Sequence, residues 1–134
     1  MVIFIFGNSD EAIDNAAVGS FQKLKRDFPD VSIEIVYPNA DLVPMGDYQS
    51  IILIDVVAGI NEITVFDQRA IGHFRLSPRS TTHDYDLGFQ LKYLKKLGKI
   101  KKLKIIGLPQ HKRISYSSFH SIVKKLVAQD MQGS

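Results

Sequence analysis

The 134-residue sequence has no cysteine. That absence excludes disulfides, thiolate metal sites and a cysteine nucleophile together, and it suits a reducing cytoplasm. Prolines are few, with 5 in the chain. No Gly-x-Ser-x-Gly elbow and no glycine-rich phosphate loop occur, and Gly7-Asn8-Ser9 alone is too little for a nucleotide site. Long apolar runs are also missing. The opening Val2-Ile3-Phe4-Ile5-Phe6 is too short to span a bilayer and lacks the charged flank and cleavage site of a signal peptide. A cytoplasmic protein with no membrane insertion is therefore expected. Internal repeats, low-complexity stretches and long linkers are absent too, so residues 1–134 read as a single domain.

What is present is 45% hydrophobic and 23% charged, enough for one core of ordinary size. The formal net charge is +3, and most of the excess lies in Lys92, Lys95, Lys96, Lys99, Lys101, Lys102 and Lys104. Such a stripe can attract an acidic partner. Lysines at a helix C-terminus and in the loop beyond it are also favoured by the helix dipole. The second reading is preferred, and no nucleic acid is expected as a partner.

Apolar spacing changes period along the chain. Val2-Ile3-Phe4-Ile5-Phe6 and Ser50-Ile51-Ile52-Leu53-Ile54-Asp55-Val56-Val57 are near-continuous runs, as in strands buried on both faces. Ile13, Ala17, Phe21, Leu24 and Phe28 recur at helical spacing, and Pro29 stops them. Val31, Ile33 and Ile35 alternate as a less buried strand, residues 63–66 form a short one, and residues 103–108 a fifth, closed by Pro109. Leu87, Leu91, Leu94 and Leu97 line a helix that Thr81 or Thr82 can cap and Gly98 stops. A last helix begins near Ser117. The alternation implies an α/β fold with a largely parallel sheet covered on both faces. Ligands of such sheets gather at the carboxyl ends of the strands, where the strand order reverses.

Three polar residues stand at loops expected on that edge. Asp55 interrupts an apolar strand, where a carboxylate is costly unless paired, hydrogen-bonded or metal-bound. It is either a functional group or a cap on the backbone N–H groups of the next turn. Asp14 lies at the start of the first helix, where the dipole alone also favours an acid. His83 sits at a helix entry; a lone histidine is otherwise a surface or packing group. Jointly, two carboxylates and an imidazole make an N/O donor set suited to a divalent ion such as nickel or zinc.

These residues resemble the hydrogenase maturation protease family. Phe6-Gly7-Asn8, four residues, then Ile13-Asp14 is similar to that family's opening strand, Gly-Asn and acidic helix start. Ile52-Leu53-Ile54-Asp55 followed by Gly59 resembles its apolar strand ending in aspartate. Thr81-Thr82-His83 resembles its Thr-Thr-His element, and Ile105-Ile106-Gly107-Leu108-Pro109 its closing strand. The chain departs from the pattern at Ile13, where an acid is usual, and at Ala17, where glycine is usual. The resemblance implies a three-layer sandwich of phosphorylase/hydrolase type, whose five-stranded mixed sheet has residues 63–66 running opposite to the rest. It implies an endopeptidase, grouped with the aspartic type, that trims the C-terminal extension of a hydrogenase large-subunit precursor once nickel is in place. Asp14, Asp55 and His83 are then the catalytic set and the metal ligands. Nickel arrives with the precursor, which is the partner, and another divalent ion can substitute in vitro. A non-proteolytic, nickel-binding or chaperone-like relative is the alternative. An RNA-directed hydrolase of similar architecture is disfavoured, because its His-Asn-x-Gly element is missing; the nearest segment is Asp14-Asn15-Ala16-Ala17.

Overall fold

The computed structural model describes residues 1–6, 19–36, 47–57, 59–67, 69, 95–96, 98, 101–109 and 114–132. Among these residues five strands form one sheet: β1 (Val2–Phe6), β2 (Ser32–Val36), β3 (Ser50–Val57), β4 (Thr64–Asp67) and β5 (Lys102–Pro109). Their order is β2-β1-β3-β5-β4. Four strands are mutually parallel, and β4 alone pairs antiparallel, along the outer side of β5. The sheet is thus mixed and mostly parallel, with the short fourth strand reversed as the resemblance implied.

The strand sequences explain their places. β3 is apolar at every position but two and is buried along its whole length, as a central strand must be. β2 alternates exposed and buried residues, which suits an edge. Among the described residues the helices are α1 (Phe21–Asp27) and α2 (Tyr116–Gln132). Phe28 caps α1 by returning its N–H to the Leu24 carbonyl, and Pro29 prevents another turn. Ser115 opens α2: its carbonyl accepts from the Phe119 N–H at 3.1 Å.

Both helices lie on one face. Leu24 of α1 and Phe119, Val123 and Leu126 of α2 pack with Ile3, Ile5, Ile33, Ile52, Ile54, Val56, Ile106 and Leu108. Side chains alternate across a strand, so Ile51, Leu53, Asp55 and Val57 point to the other face. That face is also buried: Leu53 and Ile105 are both fully inaccessible. The helix expected between Thr82 and Leu97 lies mostly outside the described residues. Its end is described: Lys95 and Lys96 are helical, and Gly98, at φ 71°, turns out of the helix while its N–H reaches the Lys95 carbonyl at 3.0 Å. A left-handed residue at this position is the common helix stop, and glycine takes it without strain. No described helix is long and apolar enough to cross a membrane.

A polar group joins the two helices at the surface. The Asp27 carboxylate accepts from Tyr116 Oη at 2.7 Å and from Arg26 Nε at 2.9 Å, with His120 Nε2 3.7 Å away. These contacts hold the Asp27 pKa down at about 2, the Arg26 hydrogen bond contributing most. Desolvation, and then the bond to Asp27, push the Tyr116 phenol up to about 12. His120 packs its ring 5.1 Å from that of Phe28.

Candidate functional site

The strand order locates the site. From β1 the chain moves to β2 on one side, while β3 lies on the other side of β1. The crevice where the order reverses is therefore at the carboxyl ends of β1 and β3. Asp55 stands there, two residues before the end of β3.

The Asp55 side chain is fully buried, the only acidic residue buried to that degree among the described residues. Oδ1 accepts from the N–H of Val56 at 2.8 Å. Pairing between β1 and β3 runs as far as Ile5–Ile54, so this bond forms just where the β1 ladder stops. The carboxylate thus has part of the backbone-capping role that the sequence left open. Across the ladder, Asp55 is in register with Gly107 of β5, and Gly107 in turn with Thr64 of β4. Val57, Ile60 and Phe66 stand over Gly107.

As an oxygen donor at a strand terminus, Asp55 has the chemistry of a ligand for a divalent ion. Asp14 and His83, the other two donors expected from the sequence, lie outside the described residues. Among the described residues no group of three or more histidine, aspartate or glutamate side chains could hold a metal ion.

Among the described residues, two clefts flank the sheet ends. One, of about 320 Å³, opens at the same rim beside Pro109, between Ile63 and the first turn of α2, with Asn61, Glu62 and Ser118 in its wall. The larger, of about 400 Å³, lies at the opposite rim among Met1, Ser50, Lys102 and Gln129. Size does not make it the better candidate, because it lies at the amino ends of β3 and β5, away from both Asp55 and the switch point.

Sequence reasoning singled out Asp55 but not the part Gly107 plays beside it. The available signal was a glycine inside an apolar strand, which marks a bulge or a close approach.

No protein-family model matches the chain, and no curated protein matches it. Solved structures do. The hydrogenase maturating endopeptidase HybD from E. coli superposes with a TM-score of 0.68 at 15% identity, over 99% of this chain and 93% of its own. The [NiFe] hydrogenase maturation protease HybD from Thermococcus kodakarensis gives 0.56 at 16% identity, over 85% and 81%. The hydrogenase 2 maturation peptidase from a Thaumarchaeota archaeon gives 0.53 at 17% identity, over 98% and 97%. The chain has the fold of the hydrogenase maturation endopeptidases over nearly its whole length.

Proposed function

We propose that this protein is an endopeptidase that removes the C-terminal extension from a nickel-loaded hydrogenase large-subunit precursor. The observation that carries the reading is Asp55: a buried carboxylate at the switch-point rim of a sheet shared with maturation endopeptidases. The colinear sequence elements around Asp14, Asp55 and His83 support it independently of the superposition. Asp14 follows β1 in the chain, and β1 ends at the rim where Asp55 stands.

In this reading nickel belongs to the substrate, held by the precursor's own ligands. Asp14, Asp55 and His83 add two carboxylates and one imidazole, and so recognise a precursor that already carries the metal. A carboxylate in a water-poor site binds a cation more strongly than one in solvent, because the surrounding dielectric is low. Asp55, fully buried on a central strand, has that property and is held in place by its bond to the Val56 N–H. Selection for metal-loaded precursor then follows from the donor set, since the precursor without nickel gives these residues nothing to bind. A divalent ion at the scissile segment also polarises a carbonyl or a water.

The test is co-expression of Asp55→Ala and His83→Ala variants with the cognate large subunit, followed by gel analysis. Precursor should accumulate unprocessed in both, with the variant proteins folded. Normal trimming by both variants would overturn the reading. A wild-type protein that binds the precursor yet never shortens it would point to the chaperone-like alternative.

A further inference from the structure

We propose that Gly107 is a positioning residue for the Asp55 carboxylate; the proposal rests on the reading above, in which Asp55 contacts the metal of the precursor. Gly107 sits inside β5, two residues before its end and directly across the ladder from Asp55. Glycine inside a strand weakens it, so its presence there calls for a reason. Positive φ is not the reason, since among the described glycines only Gly59 and Gly98 have it. The reason is space. A Cβ at position 107 would lie 2.9 Å from Val57 Cγ2, 3.0 Å from Phe66 Cε2 and 3.2 Å from Ile60 Cδ1. Carbon atoms pack comfortably at about 3.5–4.0 Å. Three side chains from three segments therefore close over bare backbone: one from β3, one from the turn after it, and one from β4.

These neighbours do not yield equally. Phe66 is half-buried on the edge strand and so less confined. Val57 is 4% exposed and β-branched, so its rotamer is nearly fixed. A methyl group at position 107 thus pushes on Val57, and the push passes into the β3 backbone. Val57 is two residues from Asp55 on the same face, so the strand end that moves is the one carrying the carboxylate. Gly107 keeps that end seated against β5.

The experiment compares the wild type with Gly107→Ala, Val57→Ala, the double variant Gly107→Ala/Val57→Ala, and Val123→Ala as a destabilised control on the opposite face. Two readouts are taken: kcat and KM for nickel-loaded precursor, and the Asp55 carboxyl ¹³C resonance in labelled protein without metal. In Gly107→Ala, kcat should fall by about tenfold to a hundredfold, as sub-ångström to ångström misplacement of a reacting group does, with KM little changed. The Asp55 resonance should move. Both should return towards wild type in the double variant, where the Val57 contact is gone, and neither should change in Val123→Ala. Should Gly107→Ala be too unstable to purify, Gly107→Ala/Phe66→Ala relieves the edge contact, keeps the Val57 contact, and should show the same two effects. An unmoved Asp55 resonance, or a kcat loss that Val57→Ala does not rescue, would overturn the proposal. Asp55→Ala, run alongside, separates the two claims. If that variant processes normally the endopeptidase reading fails, and the resonance still judges whether Gly107 positions the carboxylate.

Discussion

Replacing Asp55 by asparagine separates a carboxylate kept for chemistry from one kept for structure. Asparagine has the same outline and keeps an acceptor oxygen where Oδ1 now takes the Val56 N–H at 2.8 Å. What it loses is the charge. A hydrogen bond to a charged group contributes about 1.5–3 kcal/mol and a neutral one about 0.5–1.5, so downgrading this bond costs on the order of 1 kcal/mol. Against that stands the desolvation of a fully inaccessible carboxylate, several kcal/mol per ion even after relaxation. The two effects oppose each other, so the folded state should change by no more than about 2 kcal/mol in either direction. With a urea dependence of about 2 kcal/mol per molar, the unfolding midpoint should shift by no more than about 1 M either way. Processing of the nickel-loaded precursor should be lost in the same preparation, since a neutral amide is a poor ligand for the metal. Chemical denaturation followed by circular dichroism, paired with the gel assay, reads both outcomes. A destabilisation beyond about 2 kcal/mol would mean that the charge is held by a structural partner. Full processing by the asparagine variant would refute the functional assignment directly.

Other parts of the molecule respond to different perturbations. Phe119 is completely buried between α2 and the sheet, and Phe119→Ala should cost about 3–5 kcal/mol through lost burial and a residual cavity. A loss below about 1 kcal/mol in urea unfolding would contradict that packing. The Tyr116 phenol, raised to about 12, stabilises the fold fully below its unfolded pKa near 10, and that contribution fades as pH climbs from about 10 to 12. Tyr116→Phe should therefore lower stability at neutral pH and flatten the decline over that alkaline window. Asp27, lowered to about 2, works in the opposite sense. Its contribution is complete above the ordinary aspartate range near 4 and is lost as pH falls to about 2, so Asp27→Asn should remove acid dependence there. Melting curves across pH check both, and an unchanged alkaline profile in Tyr116→Phe would refute the phenol–carboxylate link.

The strands were legible because burial leaves a local mark. β3 reads as a buried strand from its apolar run alone, and β2 as a less buried strand from the alternation of Ile33 and Ile35. Asp55 stood out for the same reason, as the one charge inside such a run. Strand order and direction are different matters. Four residues of β4 carry no sign of running antiparallel, and that expectation came only from the family resemblance. Pairing across a sheet is non-local, so periodicity cannot encode it. The contact of Tyr116 with Asp27 joins residues 89 apart and depends on how α1 and α2 pack. Neither residue belongs to an apolar stripe, so no pattern announced them. Gly107 was visible as a glycine in a strand, but what crowds it comes from three separate segments. Asp14 and His83 lie outside the described residues.

The central claim is that Asp14, Asp55 and His83 meet at one nickel ion. A crystal structure of the protein with nickel-loaded precursor, recorded at the nickel absorption edge, tests it most directly. One anomalous peak should lie about 2.0–2.2 Å from oxygens of both carboxylates and a nitrogen of the imidazole. A nickel peak remote from Asp55, or a His83 ring facing the opposite rim of the sheet, would contradict the account.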